Sequence, residues 1–333
     1  MLGSDELRLH CRVTAFAHDP RPRLGTDRQF GHTGGMRYAV LGMLLVGSLA
    51  LVPSARADTS PPEDAPVVRL ITAGKAPTRT LRLIAKPGFR QTVIMTMAMG
   101  MAMQSAGKDL VPKTRVPEVR MTIELDVVNV SGDGDLRCTF KITRPELAQD
   151  PKANPAVVAA MKQSILGLDG LSGFVVMTSR GFTREADFQV PATADPQLKE
   201  LLNSMRQSLY QLTSPLPAEP VGKGARWETT MKLEMNGVSL GQIATYDLVE
   251  LSGNSAKLDI SLKQTAGNQK IQRNGISIDL ISLASAGSGH MALDLTRLIA
   301  SPATMSIKSA SEMEAMGQKI SMQVDLTMGI KRR

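Results

Sequence analysis

The sequence predicts a mainly β fold of the α+β type: a curved antiparallel sheet, or half-barrel, with two amphipathic helices against its apolar face. Three observations carry that expectation. Apolar and polar residues alternate through many short segments, those segments are separated by Gly, Asn, Asp and Ser turns, and only two stretches show helical spacing.

Taken in chain order, residues 1–35 are polar, aperiodic and rich in Arg, Pro, His and Gly, which suits a disordered extension or a start assigned too far upstream. Met36 and Arg37 then lead into the uncharged run "YAVLGMLLVGSLALV" and the small-residue pattern "PSARA", the form of a secretory signal peptide over 36–57 with cleavage after Ala57. The run is shorter than the roughly 20 apolar residues of a membrane span, so no span is expected after cleavage. The chain is therefore expected to be exported, periplasmic or extracellular. No Cys follows the apolar run, which argues against a lipid-anchored N-terminus. Residues 58–78 read as a flexible, Pro-rich leader, and residues 79–331 as the β-rich domain.

Removing residues 1–57 takes away seven of 39 basic and four of 31 acidic residues, leaving 32 minus 27, a net charge of +5. Without a Lys/Arg run, that mild excess gives no reason to expect nucleic acid. One His, His290, and one Cys, Cys138, remain beyond residue 57, so no disulfide can form within that part and stability must come from a packed core.

The first strands announce themselves clearly. In "VRMTIELDVVN", Val119, Met121, Ile123, Leu125 and Val127 alternate with Arg120, Thr122, Glu124 and Asp126, so one face is dry and the other wet. Leu136, Cys138, Phe140 and Ile142 repeat the pattern across the turn "SGDG", as an antiparallel hairpin does. Asn154 and Pro155 open the first helix, with Val157, Val158, Met161, Ile165 and Leu166 on one stripe. A hairpin turning near Arg180 and Gly181 follows. The second helix opens at Asp195 and Pro196, with Leu198, Leu201, Leu202, Met205 and Leu209 on its buried side. Alternation resumes at Met231, Leu258, Ile276, Met291 and Ile320. A faint internal echo pairs "GFRQTVIMTMAM" from Gly88 with "GARWETTMKLEM" from Gly224, and "VVNVSGDG" with "LVELSGNS", as two similar halves, 79–190 and 220–331, would.

The segment "TVIMTMAMGMAMQ" sets Met at 95, 97, 99, 101 and 103. Met and Ala also suit a helix, but period two together with Thr92, Val93, Ile94 and Thr96 favours a strand with all five thioethers on one side. Soft sulfur suits copper(I); five Met spread over about 27 Å cannot all reach one ion, but three could, so copper binding stays open as a lesser alternative although no His or Cys stands near. Flexible thioethers also fill irregular core gaps or form an adaptable wall for an apolar ligand. Trp227, the only Trp, opens a strand after a Pro-rich loop, where it fills space between sheet and helix or stacks on a ligand.

Catalytic and metal chemistry finds little footing. His290 stands alone beside Gly and Ser, which speaks against a Ser-His-Asp or Cys-His arrangement. No cluster has zinc-ligand spacing, "GKG" at 222–224 lacks the following Ser/Thr of a phosphate loop, and Cys138 shares an apolar face with Phe140 and Ile142 as an inert thiol does. A carboxylate-dependent hydrolase stays open as an alternative, though no acid pair stands at a spacing that fixes geometry.

The stretches "LSGFVVMTSRGFTREADFQVP", "SPLPAEPVGKGARWE" and "GSGHMALDLTRLIASPATMSIKSASEMEAMGQKISMQVDLTMGI" resemble an uncharacterised family of exported bacterial β-rich proteins over residues 79–330. That resemblance implies a strand pair, a helix, a Pro-rich turn with Gly and Trp, and a β-rich C-terminal half, with no assigned activity. By architecture alone the expected fold also looks like the half-barrel lipoprotein carriers of the bacterial envelope, an analogy of shape rather than of function. The resulting expectation is a non-enzymatic envelope protein that binds a lipid, a lipidated protein or another apolar partner. Met95, Met97, Met99, Met101, Met161, Met205 and Trp227 form the apolar wall, with no catalytic residue, metal or cofactor. The alternative is a structural or assembly module with a packed core and no ligand.

Overall fold

The computed structural model describes residues 66–150, 153, 155–190, 202, 215–235, 237–273 and 276–333. All belong to one compact unit, Gly42–Arg333. The strands are β1 (Val67–Thr72), β2 (Arg90–Ser105), β3 (Lys108–Val130), β4 (Leu136–Leu147), β5 (Ser172–Met177), β6 (Thr183–Gln189), β7 (Arg226–Met235), β8 (Val238–Ser252), β9 (Ser255–Ala266), β10 (Gln269–Arg273), β11 (Ile276–Asp294), β12 (Ala303–Ala315) and β13 (Gln318–Arg332). A single described helix, α1 (Pro155–Leu166), lies between β4 and β5.

The strands form one open, curved antiparallel sheet in the order β1-β7-β8-β9-β11-β12-β13-β2-β3-β4-β5-β6, with β10 paired to β11 off that path. Period-two alternation dictates this arrangement, because each strand has one apolar face and all of those faces must share an interior. The face carrying Val93 and Met95 is hereafter the inner one. The two runs expected from Ile276 and Met291 are one 19-residue strand, β11. The methionine segment is β2, so the helical alternative for it does not hold.

Two expectations are corrected. The leader expected over 58–78 ends at Val67, where β1 pairs with β7 because Val68 and Leu70 find apolar neighbours there. Two amphipathic helices are not seen. In α1, Ile165 is buried, Val158 and Met161 are half-buried and Leu166 is 56% exposed, a weak sidedness with which the helix rests on β3 and β4. The second helix falls outside the described residues except for Leu202, which is helical and buried.

The stretches read as two similar halves, 79–190 and 220–331, contribute β2 to β6 and β7 to β13, each a contiguous run of the sheet apart from β10. One turn in each has the same backbone bonding. Gly88 N–H donates to Val127 O, Val127 N–H to Phe89 O and Phe89 N–H to Lys86 O; in the second half Gly224 donates to Leu248, Leu248 to Ala225 and Ala225 to Gly222. Gly88 and Gly224 hold φ of 79° and 82°, the left-handed conformation that glycine adopts without strain. The agreement extends to β5 and β11. A Cβ on Gly173 would meet Asp187 O at 2.2 Å, and a Cβ on Gly289 would meet Thr304 O at 2.1 Å, so both strands approach their neighbours where only glycine fits.

The core sits at one end of the inner face, hereafter the lower end. There the coil after Arg79 runs along the sheet, burying Leu81, Leu83 and Ala85. Its amides donate to Ser179 O from Leu83 and to Leu295 O from Ile84, linking the β5–β6 turn to the end of β11. Trp227 is 0% exposed, stacks on Tyr246 at 5.4 Å and donates its indole N–H to Pro215 O at 3.1 Å. Gln91, 2% exposed, clamps the turn after β11: its carboxamide donates to Ile299 O and accepts from the Leu298 and Ile299 amides. Cys138 is fully buried, and desolvation pushes its thiol pKa up to about 12.

Candidate functional site

From this core, which takes in β7 to β9, the inner face continues across β12, β13 and β2 as a wall, and strand register fixes its composition. Residues directly opposite one another across a ladder point to the same face, so the sheet resolves into transverse rows. The row through Met95 reads Leu248, Leu258, Met291, Ala303, Ile330, Met95, Met121. The next reads Leu70, Trp227, Tyr246, Ile260, Gly289, Met305, Met328, Met97, Val119, Leu147. Then come Thr229, Ala244, Leu262, Gly287, Ile307, Leu326, Met99, Val116. The Met101 row reads Met231, Gln242, Gln264, Ser285, Ser309, Val324, Met101, Thr114. The Met103 row holds Leu283, Ser311, Met322, Met103 and Val111, with Ala266 opposite Leu283.

None of these five rows contains a charged side chain. Ion pairs line the outer face instead, among them Arg90–Asp126 at 2.8 Å, Lys113–Asp325 at 3.5 Å and Arg226–Asp247 at 2.6 Å. Segregation of this kind follows from the cost of placing an unpaired charge against apolar surface. Met95, Met97, Met99, Met322, Val324, Leu326 and Met328 are half-buried, whereas the lower core residues are sealed. Met101 and Met103, at 5% and 7% exposure, are covered by their neighbours but belong to neither of the packed core clusters.

The structure thus brings Met95, Met97, Met99 and Met101 together as expected from their spacing. Trp227 shares the Met97 row, but in its sealed position it fills the core and presents no surface to a ligand. Met161 lies half-buried on α1, and Met205 is outside the described residues. Sequence reasoning missed the neutral polar group within the wall: Gln264 Nε2 donates to Gln242 Oε1 at 2.8 Å, and the Ser285 and Ser309 hydroxyls bond at 2.7 Å. Alternation in "SLASAGSGH" holds the signal, since Leu283, Ser285, Gly287 and Gly289 share one side. Mixed with Ala and Ser on the other side, it lacks hydrophobic contrast.

Other candidate chemistry lies outside the wall. His290 Nδ1 is 2.6 Å from Asp259 Oδ1 on the exposed outer face. A cleft of about 220 Å³ is lined by Glu124, Asp126, Lys141, Ser172 and Gln189, with Asp126 paired to Arg90. A second, of about 260 Å³, is lined by Lys75, Arg79, Lys223 and Leu251 beside β1. Among the described residues no group of three or more His, Cys, Asp or Glu is placed to hold a metal ion, and no helix is long and apolar enough to cross a membrane.

Over residues 186–297, about a third of the chain, the sequence matches the model of a family of unknown function, DUF6263. The match runs from within β6 through β7 to β11 and the turn after it, and so takes in most of the second half of the sheet but not β2 or β13. No curated protein matches the chain.

Proposed function

We propose that this chain is a non-enzymatic protein of the cell envelope that holds a lipid, a lipidated protein or another apolar partner against the methionine-lined part of its inner face. The observation that carries the reading is the half-burial of Met95, Met97, Met99, Leu326 and Met328 within rows free of charge. Apolar surface left half-open on a sheet face gains about 25 cal/mol for each Å² that a partner removes from water, before ordering costs. Unbranched thioethers adapt to varied shapes at little strain. Export fits the reading, with the signal peptide over 36–57 cleaved after Ala57, into the periplasm or beyond.

The burial of Met101 and Met103 favours a second reading, a structural or assembly module whose upper rows pack on themselves. Native mass spectrometry and organic extraction of protein purified from its own envelope separate the two. The carrier reading expects a co-purifying lipid that is lost from a folded Met99→Asp variant, because a carboxylate on this wall opposes apolar burial. Wild-type protein that is folded, monodisperse and empty would leave the packed module standing.

A further inference from the structure

The inner wall is mostly apolar, with Thr229 in the Met99 row and Ser311 in the Met103 row; the Met101 row is different. Across β8, β9, β11 and β12 it carries Gln242, Gln264, Ser285 and Ser309, all uncharged and all able both to donate and to accept. Their mutual bonds use only part of that capacity. Gln264 spends one amide hydrogen on Gln242, leaving its own carbonyl oxygen and the Gln242 amide hydrogens with no side-chain partner among the described residues. One row higher, Ser311 is 5% exposed and its hydroxyl has no hydrogen-bond partner among the described residues. An unpaired buried hydroxyl is destabilising, and alanine would serve packing as well at that position. Ser311 stands opposite Leu283 and Met322, so the hydroxyl is presented to the inner side beside the Gln/Ser row.

We infer that the ligand of this wall is an apolar chain bearing an uncharged hydrogen-bonding group of the ester or amide class, and that Ser311, Gln264 and Gln242 receive that group while Met95 to Met99, Leu326 and Met328 take the hydrocarbon. The inference rests on the binding reading above and adds the ligand's chemistry to it. A free carboxylate or phosphate is the wrong partner, because none of the five rows supplies a cation. A plain hydrocarbon leaves the polar row without new partners. Esters and amides match it: each offers a carbonyl acceptor to Ser311 and the Gln242 amide, and an amide N–H also reaches the Gln264 carbonyl.

The test uses displacement of N-phenylnaphthylamine, an uncharged apolar probe, by decyl acetate and by tridecane, chains of equal length. Wild-type protein, Ser311→Ala and Gln242→Met are compared, each checked for its native circular dichroism spectrum. Decyl acetate is expected to weaken about fivefold in either variant, the worth of one neutral hydrogen bond, while tridecane binds at least as well as before. Using two independent variants keeps the result readable should one of them misfold. Equal shifts for the two competitors, or no shift for the ester, would overturn the ester/amide assignment and leave apolar binding intact. Failure of both competitors to displace the probe from wild-type protein would overturn the binding reading and this inference together.

Discussion

Replacing Gln91 by Leu keeps the side chain close to its volume and removes three hydrogen bonds at once, those to Ile299 O and from the Leu298 and Ile299 amides. Leu298 is 7% exposed, so its amide has no route to water once the carboxamide is gone. One orphaned buried donor costs about 2 kcal/mol, and each of the other two lost bonds about 1 kcal/mol, since Ile299 is only partly buried and a small shift wets it. Burying Leu in place of Gln returns about 1 kcal/mol or more. The net expectation is a loss of about 2–3 kcal/mol. Urea unfolding followed by the fluorescence of Trp227, the single Trp and a member of the same core cluster, reads this directly. Gln104→Leu is the control, because Gln104 is exposed on the same strand and its side chain donates to Asp109 at 2.9 Å. If Gln91→Leu unfolds within about 0.5 kcal/mol of wild type, as a surface change does, the turn after β11 is not held by this clamp.

Two further outcomes follow from the same packing. Cys138, with its thiol pKa at about 12, is expected to resist a thiol reagent at neutral pH in the folded protein and to react promptly in denaturant; prompt labelling without unfolding would contradict its burial. Partial burial raises the Asp294 carboxyl, but bonds from the Thr296 hydroxyl and amide and from Arg297 outweigh it, holding the folded pKa below the ordinary value. A depressed carboxylate contributes stability above its unfolded pKa and loses it as pH falls through the folded one. Asp294→Asn should therefore be less stable than wild type at neutral pH and converge with it below about pH 4; a gap that stays constant on acidification would refute the linkage.

What was legible in the sequence is what alternation encodes. Val119 to Val127, Leu136 to Ile142 and the methionines of β2 gave both strand and face, because neighbouring side chains differ sharply in polarity. Three kinds of feature escaped. Val67 to Thr72 carries four β-branched residues but follows a Pro-rich leader, and its pairing with β7 makes it a strand. The first helix has enough apolar residues to suggest a stripe, yet Leu166 ends up in solvent because α1 meets the sheet chiefly at β4 and β3. The polar row of the wall is assembled from four strands far apart in sequence, so no local window contains it. For the site, the spacing of Met95 to Met101 was enough to place them on one side, whereas the sealing of Trp227 depends on Tyr246 and Pro215 arriving from elsewhere.

The equivalence of the two halves can be tested where it makes an unusual demand. Gly173 and Gly289 lie at corresponding places, each followed two residues later by an inner-face residue, Val175 or Met291, that is paired with β4 or β9 at Cys138 or Leu258. A Cβ at either would press within 2.2 Å of a neighbouring carbonyl oxygen, far inside van der Waals contact, and at Gly173 it would also meet the Phe140 ring at 2.6 Å. Backbone must therefore move to admit Ala, and overpacking of that kind costs about 1–3 kcal/mol. Both Gly→Ala variants should lose stability by comparable amounts in thermal unfolding. Gly241, whose Cβ would come no closer than 4.0 Å to Thr265 O, should tolerate Ala far better. Were Gly173→Ala costly and Gly289→Ala neutral, the matched turns at Gly88 and Gly224 would reflect a common local motif rather than a shared plan. The close approach of β11 to β12 beneath the wall would then need a different cause.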